Sequence, residues 1–127
     1  MAWRHYGNKY GNKKIIVDGE IFDSKHEYRR YIELQLLKQK GLIYDLQRQV
    51  KFVLVPAQYE PDTVGPRGGK IKGKLLEREV AYYADFVYYD TANEEYIVED
   101  AKGLRTPEYI IKRKLMLWLK GIQIIEV

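Results

Sequence analysis

Two segments carry side chains whose types and spacing could do chemistry: Tyr82-Tyr83-Ala84-Asp85-Phe86-Val87-Tyr88 and Val98-Glu99-Asp100-Ala101-Lys102-Gly103. Both read as strands, where side chains i and i+2 share a face, so Asp100 and Lys102 project together while Glu99 and Ala101 point the other way. Asp85 shares a face with Tyr83 and Val87, and an antiparallel hairpin turning at Asp90-Thr91-Ala92-Asn93-Glu94 can bring it beside Asp100. Carboxylates held that closely disfavour ionisation unless a cation joins them, and hard oxygens are what Mg2+ or Mn2+ prefer. Such a metal could bind a non-bridging phosphate oxygen and a water, with Lys102 holding or helping to deprotonate that water. The chemistry implied is hydrolysis of a phosphodiester.

Periodicity alone also fits a plainer picture, with Asp85 as a charge near a strand end and Asp100 and Lys102 as a surface pair. Against it, Asp85 lies in a very aromatic, core-like strand, and carboxylates are rarely buried without a partner. Glu99 is expected on the opposite sheet face, paired with a basic side chain or with solvent. Ser24-Lys25-His26-Glu27 matches a capping box, which fully explains a glutamate three residues after a serine. The same position puts the Glu27 carboxylate on the first helical turn, where it could reach a metal or its water. These two roles stay open.

The elements that must position these groups are legible in outline. Lys14-Ile15-Ile16-Val17, Asp18-Gly19 and Glu20-Ile21-Phe22 predict a hairpin with a type I′ turn. A helix is predicted over 24–40, ending at Gly41, and a strand over about 47–55, closed by Pro56. Residues 56–78 carry the breakers of a long loop, and strands are predicted over 79–89 and 95–101. Thr106 and Pro107 open a second helix that ends at Lys120-Gly121, and 122–127 is expected to be a final buried strand. Together they predict an α/β fold with a mixed central sheet flanked by two main helices.

With 127 residues and 46% hydrophobic content, the chain is expected to form one domain, 14–127, preceded by a loose basic arm at 1–13. A formal charge of +4 favours a polyanionic partner. The absence of Cys removes disulfides, thiolate nucleophiles and cysteine zinc sites. No stretch approaches the roughly 18 apolar residues needed to cross a bilayer, and the start lacks a signal peptide's apolar region, so a soluble, cytoplasmic protein is expected.

Arg67, Lys70, Lys72, Lys74 and Arg78 form the densest basic region, either a charged flap or a phosphate-wrapping element. Arg67-Gly68-Gly69-Lys70 lacks the spacing of a phosphate-binding P-loop, so no nucleotide cofactor is expected. On the second helix Lys112 can pair with Glu108 or reach a phosphate, with Arg113 and Lys114 beside it. Tyr82, Tyr83, Tyr88, Tyr89 and Trp118 are expected to pack in the core rather than to stack on bases. His5 and His26 are not at metal-ligand spacing.

Asp85 followed by Asp100-Ala101-Lys102 after a short hairpin resembles the PD-(D/E)XK nuclease superfamily. More closely, the chain resembles a family of small phage proteins within it, described as of unknown function or as candidate endonucleases. The similarity runs through Asp18-Gly19, Phe22-Asp23-Ser24-Lys25 with Glu27, Gly41-Leu42-Ile43, Asp85-Phe86, Glu99 to Gly103, Thr106, and Lys112 to Leu115. It implies a restriction-endonuclease-like core in which Asp85, Asp100, Glu27 and the Ala101 backbone carbonyl bind Mg2+ or Mn2+ and Lys102 is the catalytic lysine. Arg67, Lys70, Lys72, Lys74, Lys112 and Arg113 would contact DNA. Ala84 stands where the superfamily name has proline, and the glutamine-and-tyrosine motif of RecB-like exonucleases is missing after Lys102, which favours an endodeoxyribonuclease of phage or host DNA. A homodimeric Holliday-junction resolvase and a non-catalytic nucleic-acid-binding module with a vestigial metal site are the alternatives.

Overall fold

The computed structural model describes residues 13–101 and 104–127 and the backbone of residues 4–7. The first sheet is β1 (Arg4–Gly7), β2 (Lys13–Val17) and β3 (Glu20–Phe22), all antiparallel. Asp18 and Gly19 take φ of 51° and 81°, the left-handed pair that a type I′ turn requires. The stretch expected to be a loose arm thus contains a strand, because β2 has a second edge whose backbone groups need partners. Residues 1–3 and 8–12 of that arm lie outside the described residues.

Helix α1 (Lys25–Gln39) begins where the serine cap predicts and ends with Gly41 at φ 74°. Strand β4 (Ile43–Val55) starts four residues earlier than expected. The segment read as a loop is instead a ribbon of two short pairs: β5 (Gln58–Tyr59) with β8 (Leu75–Glu77), and β6 (Thr63–Val64) with β7 (Lys70–Ile71). Gly73 makes the ribbon close: a Cβ there would lie 1.7 Å from the Glu60 carbonyl oxygen, a contact no side chain survives.

The chain continues through β9 (Val80–Asp90), β10 (Tyr96–Asp100), α2 (Pro107–Lys120) and β11 (Ile125–Glu126). The central sheet has the order β11-β10-β9-β4, antiparallel except for the parallel β10–β11 pair, so it is mixed. Adjacent residues assign the helices to its two faces. Phe86 and Tyr88 pack with Leu34 of α1, whereas Val87 and Val98 pack with Tyr109 and Met116 of α2. This is the predicted architecture of a mixed sheet flanked by two main helices. Among the described residues no helix is long and apolar enough to cross a membrane.

Three packing expectations need correction. Tyr82 and Tyr88 are buried, but Tyr83 is exposed. Trp118 is 84% exposed rather than in the core. It lies nine residues beyond the inward-facing Tyr109, on the opposite side of a 3.6-residue helix. The final strand is only Ile125–Glu126 at the sheet edge, with Ile124 buried and Ile125 exposed.

Candidate metal centre

The start of α1 aims the first carboxylates. The Glu27 backbone N–H donates to Ser24 Oγ at 3.1 Å, and Glu27 Oε2 accepts from the Asp23 backbone N–H at 2.7 Å. This variant of the capping box, in which Glu27 reaches back to Asp23 rather than to the N–H of the N-cap Ser24, turns the Glu27 side chain inward, where it is 1% exposed. Its other oxygen, Oε1, accepts from Gln49 Nε2 at 3.0 Å and lies 3.6 Å from Arg48 Nη2. The two roles left open by the sequence therefore do not compete: one oxygen serves the helix end and the other faces the sheet.

Across from it, β4 and β9 pair regularly at Arg48↔Phe86 and Val50↔Ala84, with Gln49 and Asp85 between. Here the side chains change sides. Leu46 packs in the α1-side cluster, whereas Val50 and Leu54 pack in the α2-side cluster. On β9, Ala84 belongs to the α2 side and Phe86 to the α1 side. In a regular strand residues two apart stay on one face; Gln49, at φ 51°, supplies the irregularity. Asp85 sits at this crossover, its Oδ1 accepting from Gln49 Nε2 at 3.0 Å and its Oδ2 from the Ala101 backbone N–H at 2.8 Å.

The outcome is a cluster of Asp23, Glu27 and Asp85 whose ligand oxygens all lie within 4.8 Å of one another. Burial, reinforced by the Asp85 and Asp23 charges, pushes the Glu27 carboxyl up to about 7, against the Asp23 N–H bond and Arg48, which lower it. The donors are hard carboxylate oxygens, the ligand type of Mg2+ and Mn2+. His26 is not a member of the cluster, and its Nε2 is engaged by the Val127 carbonyl oxygen at 2.6 Å. The residues present therefore fit a hard divalent cation.

Asp100 follows Glu99, which pairs with Phe86, so the hairpin carries it to the level of Asp85. It is buried, and its Oδ2 accepts from the Tyr82 hydroxyl at 2.6 Å. Burial and then the charges of Asp100 and Asp85 hold the Tyr82 phenol well above its ordinary range, so both carboxylates act on one hydroxyl. Asp100 is nevertheless not a member of the three-carboxylate cluster. Lys102 lies outside the described residues. Glu99 projects to the other face, where Arg30 Nε and Nη2 donate to its two oxygens at 2.7 Å each and the Tyr88 hydroxyl adds a third bond.

The basic residues are distributed between ribbon and helix. Lys70 lies 3.1 Å from Asp62, Lys72 sits over the Tyr59 ring, and Arg67 and Lys74 are exposed on the same ribbon. Lys112 pairs with Glu108 at 2.9 Å, and Arg113 donates to Glu126 at 2.8 Å. Sequence reasoning did not single out Asp23, Gln49 or the Tyr82 hydroxyl. Asp23 could have been found, since it stands next to the cap that aims Glu27. Gln49 depends on a positive φ at a non-glycine residue, which no side-chain pattern announces.

A family model described as "Protein of unknown function (DUF1064)" matches residues 7–120. No curated protein and no solved structure matches the chain.

Proposed function

Because the chain belongs to the DUF1064 family of proteins of unknown function, its activity must be read from its own site, and we propose that it is a Mg2+- or Mn2+-dependent endodeoxyribonuclease. The observation that carries this reading is the buried Glu27, turned by its own helix cap toward Asp85 and Asp23, two like charges that Arg48 at 3.6 Å only partly offsets. Asp85, Glu27 and Asp23 would hold the metal, joined, on the superfamily resemblance, by Asp100 and the Ala101 carbonyl. When bound, the ion supplies charge stabilisation at the phosphate and a more acidic water.

The chain's own groups prepare that site. The Ala101 N–H fixes Asp85, the Tyr82 hydroxyl fixes Asp100, and the Asp23 N–H fixes Glu27. Lys102 holds the attacking water or takes its proton and counters the charge on the phosphate. Arg67, Lys70, Lys72 and Lys74 on the ribbon contact the DNA backbone. Lys112 reaches a phosphate by giving up Glu108, a surface pair worth no more than about 1 kcal/mol, and Arg113 does so by releasing Glu126. A second reading, a dimeric junction resolvase acting in the host cytoplasm, is favoured by the apolar side chains of Ile111, Leu117 and Trp118 exposed on α2.

The test compares the native protein with Asp85→Ala, Asp100→Ala and Lys102→Ala on linear, nicked, flap and four-way DNA with Mg2+ or Mn2+. Metal-dependent cleavage by the native chain alone supports the reading, and paired symmetric nicks on four-way DNA support the dimer. Equal activity in all four proteins overturns it.

A further inference from the structure

Gln49 has no part in the chemistry just described, yet it touches both carboxylates that face each other across the site. Its Nε2 donates to Glu27 Oε1 and to Asp85 Oδ1, at 3.0 Å in each case. Its backbone is held at φ 51°, a region that a non-glycine residue occupies only when its surroundings impose it. A hard divalent cation shared by these two oxygens would sit roughly 2.0–2.6 Å from each, depending on the ion. An amide nitrogen already 3.0 Å from the same two atoms stands in the way of such an ion. The amide also presents hydrogens, not lone pairs, to the carboxylates, so in this orientation it repels a cation.

We propose that Gln49 is a cation placeholder: its amide holds Glu27 and Asp85 at bridging distance in the metal-free protein and competes with the divalent ion for their oxygens. The inference rests on the reading that these carboxylates bind a divalent cation. Gln49 is exposed, so the amide can withdraw into solvent without disturbing the core. Its two hydrogen bonds are the cost that the arriving ion must overcome. With Arg48, 3.6 Å from Glu27 Oε1, they also help two like-charged groups stay together without one.

The test is Mn2+ binding to the full chain by titration calorimetry, comparing the native protein with Gln49→Ala and Gln49→Gly. Gln49→Gly removes the amide at a position where positive φ costs glycine nothing, so a folding defect does not account for its result. Both variants are expected to bind Mn2+ about tenfold more tightly, the equivalent of one net hydrogen bond. In the native protein, the Gln49 side-chain amide signals in 15N NMR are expected to move along the Mg2+ binding curve. Unchanged affinity in both variants overturns the placeholder, and weaker affinity overturns it in favour of Gln49 as a ligand. Amide signals that ignore Mg2+ overturn it as well. If the native protein itself binds no Mn2+ at millimolar concentration, the metal-centre reading falls and the placeholder with it.

Discussion

Glu27 and Glu99 are buried to the same degree, each 1% exposed, but their surroundings have opposite character. Glu99 is matched by the Arg30 guanidinium, two-pronged, and by the Tyr88 hydroxyl. Burial there is balanced locally, and the pair ties α1 to the sheet. Glu27 has two acidic neighbours, an amide and a backbone N–H, with Arg48 only at 3.6 Å. Among the three buried acids of the described residues, Glu99 thus joins elements, whereas Glu27 is left with more negative than positive charge around it. Burial alone does not mark a site; burial compensated only in part does.

The largest expected effect tests the first half of that contrast. Glu99→Ala leaves Arg30 without its main partner and is expected to destabilise the fold by about 3 kcal/mol, read by denaturant unfolding. Cleavage per folded molecule is expected to stay within a few-fold of native. A large loss of cleavage without loss of stability would put Glu99 in the site.

The second effect concerns Glu27 and pH. Its carboxyl is raised when folded, so the folded state holds the proton more tightly than the unfolded chain does. Its contribution is most favourable below about 4.5 and is lost as pH rises through about 7, a change of at most roughly 3 kcal/mol. Metal-free native protein is therefore expected to lose stability relative to Glu27→Gln between pH 5 and pH 8. A flat difference would mean that Glu27 is as well compensated as Glu99.

Divalent cation sharpens the contrast further. At a hundredfold excess over Kd, Mn2+ is expected to stabilise the native protein by about 2.7 kcal/mol, read as a rise in Tm. Glu99→Gln keeps that rise and Asp85→Ala loses it. The smallest effect is on the surface: Lys112→Ala is expected to change stability by less than about 1 kcal/mol while weakening DNA binding and reducing its dependence on salt.

Much of this was legible because local rules dominate where caps and turns do. Ser24, Asp18-Gly19, Thr106-Pro107 and Gly121 fixed the hairpin and both helices within a residue or two. Alternation placed Glu99 opposite Asp100 and left it a basic partner or solvent; it could not show that the partner would be Arg30 and Glu99 buried. The ribbon was missed because its strands are two or three residues long and its pairing depends on one glycine passing close to another strand. Trp118 was misplaced because its apolar character said nothing of which side of α2 the sheet would cover. At the site, the pairing of Asp85 with Glu27 came through the resemblance. Asp23, beside the cap, was locally legible and overlooked, whereas Gln49 emerged only from long-range register and a backbone angle.

The change of side at Gln49 and Asp85 ties the carboxylate cluster to correct strand alignment. Slide β4 by a single residue and the outward and inward sets exchange along its whole length, leaving the amide and the acid no longer opposite one another. A misaligned chain could still collapse, yet it would have no cation seat. If the cluster binds metal as proposed, its affinity doubles as a gauge of whether the sheet has zipped in the proper frame.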